Sequence, residues 1–128
     1  MKSNSFSISL VIIVVLMLSG CSGLLFDPGS YTGNNIRDLK RAESSGKTKL
    51  FTEKYPEAFA KITDTLTSSN ITIFQSNETE KYIVAMGFPK QNDTTRVGIF
   101  FEPTASGTKV TLSSLSTSAL IKAEKMLF

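Results

Sequence analysis

Residues 95 to 114 read TRVGIFFEPTASGTKVTLSS, and their pattern predicts two neighbouring β-strands joined by a turn. The runs TRVGIFFE (95–102) and TKVTLSS (108–114) are rich in β-branched and aromatic residues, and the turn-forming residues PTASG separate them. Two earlier runs, ITIFQ (71–75) and EKYIVAMGF (80–88), have the same character. The sequence therefore predicts four short antiparallel strands in a meander.

Helical periodicity flanks the predicted strands on both sides. Before them, with Pro56 in the first turn and Ser68-Ser69-Asn70 as a stop, apolar residues recur at helical spacing, namely Tyr55, Phe59, Ile62 and Leu66. A similar spacing returns from Leu115 to Phe128. The order α-β-β-β-β-α predicts an α+β domain at residues 54–128, with both helices on one face of a four-stranded antiparallel sheet.

The N-terminal residues 1–20 have the parts of an export signal. Lys2 supplies a positive charge, Ile8 to Leu18 form an apolar run, and Ser19 and Gly20 are small. A helix that spans a membrane needs about 20 apolar residues, and this run is shorter. We therefore expect residues 1–20 to be a signal peptide that is removed.

The residues Leu18-Ser19-Gly20-Cys21 resemble the lipobox of bacterial prolipoproteins, in which a leucine and two small residues precede a cysteine. The resemblance implies cleavage between Gly20 and Cys21, a diacylglyceryl group on the Cys21 sulfur, and an acyl chain such as palmitate on the new amino group. Two or three acyl chains anchor a protein stably in a membrane, whereas one chain gives marginal binding. The lipoprotein resemblance further implies a location, because Ser22 is not the aspartate that retains many lipoproteins at the inner membrane. This location is the outer membrane facing the periplasm, or the outer face of the plasma membrane if there is one membrane.

The segment between the anchor and the predicted domain has few apolar residues. Residues 21–53 consist largely of Gly, Ser, Asn, Thr and mixed charges, a composition too polar to bury a core. We interpret them as a lipidated N-terminus and flexible tether, in which Ile36 to Glu43 have the pattern of a short helix. Residues 54–128 are then expected to fold alone.

Composition argues against several classes of function. The chain has one cysteine, which the lipobox commits to lipid, and it has no histidine, so the commonest general base and metal ligand are both missing. Lys and Arg number 14 and Asp and Glu number 11, interleaved along the chain, which disfavours a nucleic-acid partner. The segment SSGKTK contains part of a phosphate-binding loop, but Arg41 stands where that motif needs glycine. We predict no metal, no cofactor and no nucleotide.

A second resemblance covers residues 55 to 128 and rests on the periodicity together with FEPTASGTKVT. This region resembles a group of small bacterial lipoproteins of unknown function, built from a helix, an antiparallel sheet and a closing helix. More distantly, the order of elements is similar to the domains of BamC, an accessory lipoprotein of outer-membrane assembly. The resemblance implies a scaffold or envelope-complex role and supplies no catalytic residue.

Strand alternation predicts which side chains face the two helices. It sends Tyr82 and Val84 toward the helices, and it places three large apolar side chains on the opposite face, namely Phe74, Ile83 and Phe100. No predicted helix covers that face. We interpret the three residues as a candidate partner surface, shielded by a protein partner, a second copy or part of the tether.

We therefore expect a non-catalytic, lipid-anchored envelope lipoprotein that serves as a binding or accessory module for a protein partner. One alternative is a binder of a small apolar ligand or lipid in a groove between helix and sheet. Its lining residues would be Phe59, Tyr82, Met86, Phe88 and Phe101. Another alternative is an enzyme that uses carboxylates. The candidates would be Glu78, Glu80 and Glu102.

Overall fold

Three α-helices and five β-strands make up the part of the chain that the structure describes, residues 36–91 and 95–128 of a computed structural model. The helices are α1 (Ile36–Arg41), α2 (Tyr55–Ser68) and α3 (Thr117–Leu127), and a short 3-10 helix, Ala42–Ser45, follows α1. The strands are β1 (Lys47–Phe51), β2 (Thr72–Asn77), β3 (Tyr82–Met86), β4 (Arg96–Thr104) and β5 (Gly107–Ser113). This order of elements confirms the α+β class.

All five strands form one antiparallel sheet in the order β1-β5-β4-β3-β2. Ile99 of β4 lies opposite Ile83 of β3 on one side and Leu112 of β5 on the other, so the sheet centre is aliphatic. Strand β2 carries an irregularity between Ile73 and Gln75, where one extra residue bulges out of the ladder. The edges of the sheet are therefore β1, which is regular, and β2, which is bulged.

The prediction of a four-stranded sheet is wrong, because the segment that we interpreted as tether supplies a fifth strand. Strand β1 pairs with β5 along its whole length, from Lys47 opposite Leu112 to Phe51 opposite Thr108. Phe51 is 6% exposed and belongs to the main core. The predicted short helix is present as α1, and it too packs against the sheet. Residues 21–35 of the predicted tether lie outside the described residues.

Helices α2 and α3 cover the same face of the sheet, as predicted. Their buried residues join those of the strands in one main core, and they are Ala58, Ile62 and Leu66 of α2 and Ala119, Leu120, Ala123 and Leu127 of α3. At about 25 cal/mol per Å² of buried apolar surface, these helix-sheet contacts stabilise the fold. Leu115, the first residue of the predicted closing segment, precedes α3 and is 58% exposed.

Local sequence signals explain where the helices begin and end. Pro56 occupies the first turn of α2, where its missing N–H costs nothing. Asn70 follows the helix with φ of 57°, the left-handed conformation that asparagine tolerates, and the backbone N–H of Ile71 donates to the carbonyl of Leu66. Helix α3 begins at Thr117, and the side chain of its N-cap Ser116 accepts a hydrogen bond from the backbone N–H of Ala119.

Candidate binding surfaces

The predicted lipidation and cleavage residues, Gly20 and Cys21, lie outside the described residues. Within the described residues, no helix has the length and apolar character needed to cross a membrane. The anchor is therefore a prediction from the sequence pattern. The structure describes the domain that the anchor would carry.

The structure does not bring Phe74, Ile83 and Phe100 together as an exposed patch. Ile83 has no exposed surface and lies in the main core, opposite Ile99. Phe100 is 7% exposed and belongs to a second, smaller core on the other face of the sheet, together with Tyr82. Phe74 alone is accessible, at 48% exposed. The predicted partner surface is corrected for Ile83 because the alternation in β3 has the opposite phase, and for Phe100 because α1 covers its face.

The second core explains what shields Phe100. Leu39 of α1 is fully buried against a cluster on the sheet, which consists of Tyr82, Val84 and Phe100. Gly98 makes room for this contact, since a Cβ at that position would lie 2.8 Å from the Phe100 ring and 3.2 Å from the Leu39 Cβ. The hydroxyl of Ser113 donates a hydrogen bond to the carbonyl of Leu39. Part of the predicted tether thus shields this face, which is one of the three alternatives that the sequence leaves open.

Phe74 lies at the bulge of β2 beneath a cation. The guanidinium carbon of Arg96 sits 3.5 Å from the centroid of the Phe74 ring, which is the geometry of a cation–π contact. The bulge hinders another strand from pairing with this edge. Strand β2 is therefore a protected edge.

Strand β1 is the more accessible edge. Its side chains alternate, so that Lys47 and Lys49 share the face of α3 while Thr48 and Leu50 share the face of α1. Lys47 pairs with Glu124 of α3 at 3.7 Å, and the Lys49 ammonium donates to the carbonyl of Phe128. Leu50 is 54% exposed. The lysines are thus engaged with α3, and the strand carries neither a bulge nor a proline.

A shallow groove lies beside the N-terminal half of α2. It has a volume of about 350 Å³, and its lining includes Tyr55, Phe59, Asp64 and Glu78. The Tyr55 hydroxyl donates to the Glu78 carbonyl at 2.7 Å, and partial burial, with a smaller effect from the Glu78 charge, raises the pKa of Tyr55. The groove therefore has a largely apolar wall that two carboxylates border.

The aromatic residues predicted to line an apolar groove are not assembled in one place. Phe59 and Phe101 are in contact, with ring centroids 5.2 Å apart. Phe88 is buried in the main core, whereas Tyr82 lies on the other face of the sheet. Only Phe59 of the predicted set borders the groove next to α2.

The three candidate catalytic carboxylates lie in an ion pair or in a turn. Glu102 pairs with Lys109 at 2.6 Å, and this hydrogen bond raises the pKa of Lys109. Glu78 and Glu80 belong to the turn between β2 and β3, where the Glu80 backbone N–H donates to the Asn77 side chain. Among residues 36–91 and 95–128, no group of three or more acidic, histidine or cysteine side chains is placed to hold a metal ion.

The sequence alone does not show that residues 47–51 form an edge strand. The signal for it is weak, because two lysines alternate with Thr48 and Leu50 in KTKLF. Only Phe51 at its end is buried. A pattern of this kind does not differ from that of a polar loop.

No protein-family model matches this chain, and no curated protein is significantly similar to it.

Proposed function

We propose that this chain is a non-catalytic, lipid-anchored lipoprotein of the bacterial cell envelope that binds a protein partner along the open edge of β1. The observation that carries the binding mode is the strand order, which leaves the outer side of β1 without a partner strand among the described residues. The anchor is supported by the lipobox-like residues Leu18 to Cys21. An outer-membrane location facing the periplasm, or the outer face of a single membrane, follows from the same resemblance.

A regular edge strand binds an extended peptide through backbone hydrogen bonds, and side-chain pockets add specificity. In β1 the two lysines are held toward α3, so the exposed Leu50 supplies the apolar contact on the opposite face. The partner that fits is therefore an extended segment with an apolar side chain opposite Leu50. In a second copy of β1, antiparallel pairing centred on Thr48 or Lys49 places lysines directly opposite one another, which disfavours these two registers.

The edge predicts a site-specific crosslink. A photoreactive benzoylphenylalanine in place of Leu50, in the full chain expressed in cells, is expected to give one discrete crosslinked protein. The matched control is the same substitution at Phe74, which has similar exposure but lies on the bulged edge and is expected to give none. Absence of a product at Leu50, or equal products at both positions, would contradict the proposed edge.

Binding of a small apolar ligand or lipid is the alternative function. Its support is the groove beside Phe59, which is large enough for a small molecule and has a largely apolar wall bordered by Asp64 and Glu78. Solvent extraction of the purified protein followed by mass spectrometry separates the two functions. A stoichiometric lipid or apolar molecule in the extract would favour the groove over the edge.

A further inference from the structure

A cationic depression lies between α3 and the loop that follows β3. It has a volume of about 420 Å³, and its lining residues are Pro89, Lys90, Lys122, Lys125 and Met126. The Lys122 ammonium donates to the carbonyl of Pro89, which ties the loop to the helix. Three lysines therefore meet at a surface that also has apolar walls.

The helical geometry of α3 makes this surface continuous. At about 100° per residue, Ser118, Ile121, Lys122 and Lys125 fall within one arc of the helix, opposite the buried residues of α3. Ile121 is 43% exposed, although it is a large aliphatic residue. The outward face of α3 thus combines an exposed aliphatic side chain with two lysines.

None of the described residues that line the depression is acidic, so the positive charge of the lysines is not offset there. The acidic residue of α3, Glu124, is directed to the β1 side, where it pairs with Lys47. We name the surface formed by Pro89, Lys90, Ile121, Lys122, Lys125 and Met126 the α3 patch.

We propose that the α3 patch docks onto an anionic phospholipid bilayer. A surface of lysines with exposed aliphatic side chains has the chemistry of an interfacial membrane contact, in which the ammonium groups meet lipid phosphates and the apolar groups enter the headgroup region. This inference rests on the proposed anchoring at Cys21, which would keep the domain beside the bilayer. A weak contact is then sufficient, because a tethered domain meets the surface at high effective concentration.

The reach of the chain permits this contact. About 15 residues separate Cys21 from Ile36, and they span at most about 50 Å when extended. The described domain, with roughly 90 residues, has a radius of gyration of about 12 Å by the usual scaling. The anchor therefore does not force α1, where the described chain begins, to be the side that faces the bilayer.

Tryptophan fluorescence tests the proposal cleanly because the chain contains no tryptophan. The chain from Cys21 onward is coupled through its single thiol to a maleimide lipid in vesicles that contain brominated phosphatidylcholine and about 30 mol% phosphatidylglycerol. A tryptophan in the patch, Ile121→Trp, is expected to be quenched at least about threefold more strongly than the control Leu50→Trp. Adding Lys122→Glu and Lys125→Glu to the reporter should reduce quenching to the control level, as should vesicles without phosphatidylglycerol.

The charge control is Lys40→Glu with Lys54→Glu, which makes the same change in charge at exposed positions outside the patch. These changes are expected to leave the quenching of the tryptophan at position 121 within about twofold of its value. Equal quenching at positions 121 and 50, or quenching that persists after charge reversal in the patch, would overturn the proposal. Since the coupling is chemical, failure of this test is distinct from failure of cells to acylate Cys21.

Discussion

Replacing Leu39 by alanine is expected to lower the free energy of unfolding by about 2–5 kcal/mol, as for other fully buried leucines. Leu39 has no exposed surface and is the only buried residue of α1. It packs on the small cluster of Tyr82, Val84 and Phe100, which has few other residues to fill the space that truncation would leave. Urea unfolding followed by circular dichroism measures the change.

The matched control is Leu115→Ala. Leu115 is the same residue type at 58% exposure, and its truncation is expected to change stability by no more than about 0.5 kcal/mol. If Leu39→Ala costs as little as Leu115→Ala, then α1 does not pack on the sheet in solution. The face that carries Phe100 would then be open to a partner.

A chain that begins at Lys54 is expected to lose cooperative thermal unfolding. This truncation removes β1, so the backbone of β5 becomes an unpaired edge, and it removes Phe51 from the main core and Leu39 from the second core. It also removes the carbonyl of Glu53, which accepts a hydrogen bond from the buried Thr108 hydroxyl. A domain of about 75 residues has little stability to spare, since small domains bury a smaller fraction of their surface.

The comparison is with a chain that begins at Ser22 and keeps every described residue. That chain should show one sigmoidal transition by circular dichroism, whereas the truncated chain should show a broad, sloping melt. A sharp transition at nearly the same temperature in both chains would mean that residues 54–128 fold alone, as the sequence pattern predicts.

Much of the fold could be predicted because its periodicity is unambiguous. In α2, Ile62 and Leu66 recur on one face of a helix that has a proline in its first turn and ends at Ser68, two residues before the left-handed Asn70, so the spacing and the helix ends agree. In β4 the alternation of Val97 and Ile99 with Gly98 has only one face suited to the main core, and the structure confirms it. Strand β4 keeps this clear phase although α1 covers part of its other face, because Gly98 leaves that face without a large side chain at its position.

The sequence could not predict which side chains of β3 face the main core, because this strand is buried on both faces. Its first four residues, from Tyr82 to Ala85, are at most 3% exposed, so the sequence YIVA shows no alternation. Tyr82 and Val84 face α1, while Ile83 and Ala85 face the main core. An apolar run of this kind fits either phase equally well until the covering element is known.

The candidate sites were less predictable than the fold, because they depend on which distant segments of the chain become neighbours. The strand order places β1 beside β5 although these strands are about 60 residues apart, and this pairing is what makes β1 an edge. The α3 patch likewise combines Lys90 of a loop with Lys122 and Lys125 of a distant helix. Spacing within a single sequence does not reveal either arrangement.

The anchor at Cys21 is tested most directly by the mass of the N-terminal tryptic peptide from native protein extracted from membranes. After the expected cleavage, trypsin would release the peptide from Cys21 to Arg37, because no lysine or arginine lies between them. We predict that this peptide begins at Cys21 and carries a diacylglyceryl group, with a further acyl chain on its amino group. In the Cys21→Ser variant the lipidated peptide should be absent and the uncleaved precursor should accumulate. A native peptide that carries Cys21 with a free thiol, or that extends back through the apolar run to Ser3, would contradict the lipoprotein proposal.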